Sequence, residues 1–274
     1  MGLIELVGHS LLEHVLSLAS CVACCLTHDS ESAKARREKQ LRKFNDHKAR
    51  QFADRRVYWQ VRSEAQLMPT LVCIIMDGMG QAKFAYPRAP VMKAKDLEGL
   101  QRPRLHTNAA IAHGRQLLVA IAHADVLKDT SYNIEMLSII LTKLKQHGLQ
   151  ISRVHLHIQL DNTSQNNKNN VMFRYLAFLV SSMTIQSTET AFLRKGHTHE
   201  DIDQLFGRLA AWIVKRHVIE TPQQFATVIR NFLTTLHGRP WPAHQCRETI
   251  IMNSVRDWKA WLEVLGMALQ ETYR

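Results

Sequence analysis

Residues 196–207 read GHTHEDIDQLFG and crowd His197, His199, Glu200, Asp201 and Asp203 into seven positions. Two chemistries suit those residue types. Imidazoles with a carboxylate can hold zinc, whereas a carboxylate presented by a helix can join others around magnesium or manganese. If a helix starts at Thr198, that residue is an N-cap with Asp201 three positions on, a variant of the capping box that makes Asp201 structural. His199 and Asp203 are then four apart and share a face, with Glu200 offset. Asp203 is therefore the expected metal carboxylate and Glu200 the second choice. His199 would touch a phosphate or orient Asp203, and His197 would hold the preceding loop.

A metal site of this kind needs more than one carboxylate, and two others stand at the ends of apolar runs. "TLVCIIMDGMG" runs apolar into Asp77, as a strand buried on both faces does. "RVHLHIQLDN" alternates like a strand and ends on Asp161. Three converging carboxylates repel one another and stay ionised together only with a cation. Hard oxygen donors suit Mg²⁺ or Mn²⁺, and two such ions can activate a water and stabilise the leaving oxygen at phosphorus. The expected catalytic and metal-binding set is Asp77, Asp161 and Asp203.

The elements that must position these residues follow from periodicity. Three strands come first, at "TLVCIIMDGMG", "LHTNAAIAHG" and "RQLLVAIAHADVL", the last two joined as a hairpin near His113 and Gly114. A helix from about 133 to 147 follows, with Ile134, Leu137, Leu141 and Leu144 at helical spacing and Gly148 as its stop. Then come the strand ending on Asp161, a helix in "NNVMFRYLAFLVSSM", a short strand in "TETAFLRKG" and a helix over 198–216. Right-handed crossovers would set the fourth strand beside the first and make Asp77 and Asp161 neighbours. The expected fold is an α/β mixed five-stranded sheet, a three-strand meander followed by alternating helix and strand. Helices flank it, with helical N- and C-terminal extensions. In domain terms, 1–68 is a helical lead-in, 69–217 the catalytic core and 218–274 a helical C-terminal region.

Charge supplies a partner. The chain of 274 residues carries 35 Lys and Arg against 24 Asp and Glu, a formal +11. Residues 31–63 hold eleven of the basic residues and four acids, with no Pro or Gly, and read as one basic helix. Its excess of one sign suits a polyanion. Arg36, Arg37, Arg42, Lys43, Arg50, Arg55 and Arg56 are the expected backbone-phosphate contacts, with Lys168 near the carboxylates. Asn162 and Gln165 could donate to phosphate oxygens there, although an asparagine-rich stretch also serves as a polar loop and cap. Trp212, Trp258 and Trp261 fall at helical spacing and read as core.

Other features exclude classes. Cys21, Cys24, Cys25, Cys73 and Cys246 are odd in number, three of them crowded together, so no disulfide framework is expected and a secreted location is excluded. The apolar N-terminal stretch is broken by Glu5, His9, Glu13 and His14. Its longest uncharged run, 15–27, is too short to span a bilayer. No small-molecule cofactor motif is present.

The blocks "CIIMDGMGQAKFAYPR", "LHIQLDNTSQNNKNNVMFRYLAFLV" and "FLRKGHTHEDIDQLFG" resemble the three catalytic blocks of DDE-type transposases. More narrowly they look like a transposon-derived domain family of eukaryotic genomes, within the RNase H-like, retroviral-integrase-like superfamily. The likeness covers about residues 40–265. It implies that Asp77, Asp161 and Asp203 match the metal triad, with Asp where many relatives have Glu, and that DNA cleavage and transfer is the ancestral reaction. DNA as partner, a homo-oligomer and a nuclear, otherwise cytoplasmic, location follow from it. No separate DNA-binding domain is readable upstream, so a non-catalytic or domesticated nucleic-acid-binding remnant is the alternative. A third reading takes His197, His199 and Asp201 as the start of a His-x-His-x-Asp-His box, as in metallo-β-lactamase-type zinc hydrolases. Ile202 stands where that box requires its next histidine.

Overall fold

The computed structural model describes residues 31–79, 105–160, 168–192, 200–216, 218–236 and 245–272. Asp161, Asn162, Gln165, His197 and His199 lie outside the described residues, as do Cys21, Cys24, Cys25 and the apolar N-terminal stretch. The chain divides into two compact units, one of residues 1–60 with 193–198 and the other of 61–192 with 199–274.

In the first unit the described part belongs to helix α1, Glu31–Leu67, whose last turns enter the second unit. From residue 34 to 50 every side chain is exposed, and Leu41, Phe44 and Phe52 face solvent as well. Helix formers without a breaker, rather than an apolar stripe, account for it. Pairs such as Arg42 to Glu38 at 3.2 Å, one helical turn apart, add little at that exposure.

The second unit is built on a six-stranded mixed sheet in the order β5-β4-β1-β2-β3-β6. Strand β1, Leu71–Gly78, is buried from Val72 to Met76. It pairs antiparallel with β2, His106–Ala112, which pairs antiparallel with β3, Gln116–Ala122. Gly114, at φ +73°, closes that three-residue hairpin loop in a conformation glycine adopts without strain. On the other side of β1 lies β4, His155–Leu160, parallel to it, and then β5, Ser187–Phe192, parallel to β4.

Helices cover both faces. Even-numbered residues of the central strands, among them Val72, Ile74, Ala110, Leu118, Ala120 and Ile158, join one core with helices α2, Thr130–Gln146, α3, Asn170–Ser181, and α6, Trp258–Thr272. Alanines at 109, 110, 112, 120 and 122 let the covering helices approach closely. Asp129 caps α2 by accepting from the Tyr132 amide at 3.1 Å, and Asn169 caps α3 through the Val171 and Met172 amides. The opposite face receives α4, Glu200–Arg216, against β1 and α5, Pro222–Thr234, against β3 and β6, with a Thr221–Gln224 capping box starting α5.

The sixth strand corrects the five-stranded expectation. Strand β6, Cys246–Met252, comes from the C-terminal region expected to be helical and runs parallel to β3 along its whole length. The physical reason is β3 itself. All seven of its residues are buried, and left as an edge it would present unpaired backbone groups inside the protein. The β-branched run Thr249, Ile250, Ile251 suits that strand. Lys143 on α2 reaches Glu248 at 2.8 Å and ties β6 to the opposite layer.

An ion pair locks α6 onto α2. Arg256 donates from Nε and from Nη2 to the Glu135 carboxylate, each at 2.9 Å, and the Trp258 indole N–H donates to the same carboxylate at 2.8 Å. Trp258 is core, edge-on to Tyr175, while Trp261 is 42% exposed and packs on Phe178 and Trp258. Trp212 is half-buried near Phe232. No described helix is long and apolar enough to cross a membrane.

Candidate active site

Asp77 is the penultimate residue of β1 and is half-buried, opposite Ala109 of β2. Side chains alternate along a strand, so Cys73, Ile75 and Asp77 share the face that α4 covers. The parallel register of β1 and β4 sets Ile75 opposite Gln159, and β4 ends one residue later at Leu160. Asp161 is the next residue in the chain.

Helix α4 turns Ile202, Leu205, Phe206, Leu209 and Ile213 inward, the spacing of one helical face. Asp203 falls off that stripe and is exposed. Glu200 is the first residue of the helix.

Asp201 is buried at 2% and occupies the middle of a charged cluster. Arg62, in the last turns of α1, donates from Nη1 to both Asp201 oxygens at 2.8 Å. The buried His113 ring comes within 3.6 Å of the same carboxylate. Burial pushes the His113 pKa down to about 4; Asp201 pulls it upward, and the Arg62 charge lowers it further. At neutral pH His113 is therefore an uncharged neighbour, and Arg62 supplies a positive charge against Asp201. Cys73, whose carbonyl accepts from the His113 amide at 3.0 Å, is inert as a nucleophile. Burial, reinforced by Asp201 against Arg62, drives its thiol up to about 12. Asp201 is thus structural, but through an ion pair across the fold. The Arg62 pair competes with metal binding by Asp201, while His197 and His199, the other expected members of the His-x-His-x-Asp box, lie outside the described residues.

The cluster also fixes a level. Asp201 anchors the first turn of α4 beside Cys73, near the start of β1. Asp77 follows Cys73 by four residues, about 13 Å along the strand at ~3.3 Å per residue.

At the other end of β1, sequence reasoning passed over a lysine. A Cβ on Gly78 would run into the Lys128 ammonium, with Lys128 Cε 3.1 Å and Asn108 Oδ1 3.2 Å from the same point. Lys128 lies in the loop between β3 and α2. Lys168, an expected phosphate contact, has its ammonium 5.5 Å from the centre of the Phe192 ring. Of the α1 residues expected to meet phosphate, Arg36, Arg37, Arg42, Lys43, Arg50 and Arg56 are exposed and Arg55 is half-buried. Among the described residues no three His, Cys, Asp or Glu side chains gather at metal-binding spacing, and the expected triad includes Asp161, which is not among them.

Sheet and flanking helices define an α/β protein whose candidate site lies at the carboxyl end of β1. The chain belongs to the family described as "Domain of unknown function (DUF7869)", which matches residues 95–273. No curated protein sequence matches it. Two solved structures of the human cytomegalovirus terminase nuclease domain are similar to it. The manganese-soaked, inhibitor-bound one is 12% identical with a TM-score of 0.20, over 74% of this chain and 75% of that chain. The other is 14% identical with a TM-score of 0.20, over 76% and 86%.

Proposed function

We propose that this chain is a transposon-derived, RNase H-like nuclease or transposase domain of the DDE type, acting on DNA by metal-dependent phosphoryl transfer. One observation carries the reading: the parallel register of β1 and β4. Ile75 and Gln159 are opposed near the carboxyl ends of adjacent strands, and Asp77 and Asp161 each follow that pair by two residues in the sequence. The strand order β3-β2-β1-β4-β5, with an antiparallel meander and two parallel additions, supports it.

The donor set fits hard divalent cations, because Asp77 offers a partly exposed carboxylate and the other expected ligands are carboxylates too. Asp77 and Asp161 would hold Mg²⁺ or Mn²⁺, and Asp203, or Glu200 as second choice, would complete the set. Bound there, two such ions supply a more acidic water and neutralise charge at phosphorus. Asn162, Gln165 and His199 would orient the phosphate and the third carboxylate. Arg36, Arg37, Arg42, Lys43, Arg50, Arg55, Arg56 and Lys168 would hold the DNA backbone without reading its sequence. A nuclear location and a homo-oligomer go with that substrate.

A specific observation favours a second reading, nucleic-acid binding without turnover. Asp203 is exposed and lies off the stripe by which α4 packs, a position that suits a surface residue as well as a ligand. Nicking of supercoiled plasmid with Mn²⁺ separates the two. Nicking that requires the metal and disappears in Asp161→Asn supports the enzyme. Salt-sensitive DNA binding without nicking leaves the binding protein.

A further inference from the structure

Beside its carboxylate, the carboxyl end of the sheet gathers groups that attract an anion. Strands β1, β3 and β4 all end there and β2 begins there. The next elements, α2 and α3, start close together, since Asn169 Nδ2 donates to Thr130 Oγ1 at 2.7 Å. Two helix N-termini, each with a partial positive charge, therefore meet at that edge.

Lys128 sits among them. Its ammonium rests on the Gly78 backbone in the space a side chain would fill, on the sheet face opposite the one that Asp77 shares with Cys73 and Ile75. Among the described residues it makes no hydrogen bond or ion pair. A flexible ammonium packed against a glycine rather than extended into water needs a reason, because ordering a lysine side chain costs about 1.5–2 kcal/mol of rotamer freedom. Asn108 supplies a second, independent observation. It is 4% exposed, its Oδ1 is buried with no hydrogen-bond partner, and that atom lies at the same point beside Gly78. Leaving such an acceptor unsatisfied costs about 1–3 kcal/mol, and a phosphate, itself an acceptor, meets this amide only once the amide has turned. Rotation of the amide about its Cβ–Cγ bond presents a donor in place of the acceptor.

We propose that Lys128, seated on Gly78 with Asn108 beside it, is a phosphate subsite that holds the nucleic-acid backbone at the carboxyl end of β1, on the sheet face opposite the Asp77 side chain. The ammonium binds one phosphate oxygen as a point charge, the Asn108 amide donates to another, and the N-terminus of α2 adds its dipole. A side chain at Gly78 displaces the ammonium, which is the free end of a flexible chain. The proposal rests on the nuclease reading for the identity of the neighbouring site, but not for the subsite itself.

The test uses the full chain carrying Asp161→Asn, so that binding is read without cleavage. Affinity for a short DNA duplex is measured across a salt series, alone and with Lys128→Gln or Gly78→Ala added; thermal midpoints confirm that each variant folds. Loss of one phosphate contact lowers the slope of log affinity against log salt by about 0.9. Lys128→Gln shows that drop, with affinity weakened roughly 3–10-fold, and Gly78→Ala shifts in the same direction although its charge is unchanged. An unchanged slope in Lys128→Gln overturns the subsite. A drop in Lys128→Gln with Gly78→Ala identical to its parent also overturns it, since the charge would then act without its seat. If the wild-type chain fails to nick plasmid yet both variants lose the contact, the nuclease reading falls and the subsite stands.

Discussion

Arg62 points a single guanidinium nitrogen, Nη1, at both carboxylate oxygens of Asp201, 2.8 Å from each, across 139 residues of sequence. The Asp201 side chain is 3% exposed and that of Arg62 24%, so the pair is largely shielded from water. Removing one partner from such a pair leaves a buried charge, which costs about 3–5 kcal/mol when burial is complete. Partial exposure of Arg62 places Arg62→Met at the lower end, about 3 kcal/mol by urea denaturation. Adding Asp201→Asn to Arg62→Met recovers part of that loss, because no charge is then stranded. A loss under 0.5 kcal/mol in the single variant contradicts the account.

Stability depends on pH through His113. Its folded pKa, about 4, is below the ordinary 6.5, so between those values the unfolded chain binds a proton that the folded chain does not. The neutral ring's contribution is therefore complete above pH 6.5 and is lost as pH falls toward 4. Urea denaturation across that window gives a stability that rises with pH, and His113→Gln reduces the slope by up to about 1.4 kcal/mol per pH unit, one proton's worth. An identical pH profile in the variant refutes the assignment.

His106 reports on the lysine near Gly78. Burial holds its pKa below the usual value, a hydrogen bond to the Ala124 carbonyl opposes this, and the Lys128 charge lowers it again. Removing that charge with Lys128→Gln raises the His106 pKa, read from its imidazole resonance by NMR. No movement means that the ammonium does not reside near His106.

Glu135 is the hub that secures α6. Burial alone would raise its pKa, but hydrogen bonds from Arg256 and Trp258 outweigh burial and hold it below the usual carboxylate range. Its stabilising effect is present at neutral pH and lost in acid. Trp258→Phe removes one donor while leaving Arg256 in place, at an expected cost of about 1–2 kcal/mol measured by denaturation. Glu135→Ala strands both donors and costs more. Equal effects of the two substitutions would show that the carboxylate is not shared.

How far sequence carried the reading can be judged residue by residue. The β1 run into Asp77 was legible because burial on two faces writes itself directly into the pattern; β4 was legible from its alternation, although its polar positions His157 and Gln159 are buried too. The hairpin at Gly114 was legible because its backbone conformation selects glycine. Strand β6 was missed because its need arises from β3, more than a hundred residues earlier, and no local pattern states that an edge is buried. Asp201 was legible as structural, but its partner was not: Arg62 reads as one more charge on a basic helix until the fold brings it to α4. Lys128 had no motif at all, since its meaning comes from the missing side chain of Gly78.

The central claim is that Asp77 and Asp161 share divalent metal, and calorimetric titration with Mn²⁺ tests it most directly. The account predicts saturable binding of two ions per chain in the wild type. Asp77→Asn and Asp161→Asn each abolish at least one of them while the thermal midpoint without metal stays the same or rises, as relief of carboxylate repulsion requires. No saturable binding to the wild type, or binding in either variant equal to that of the wild type, would contradict it.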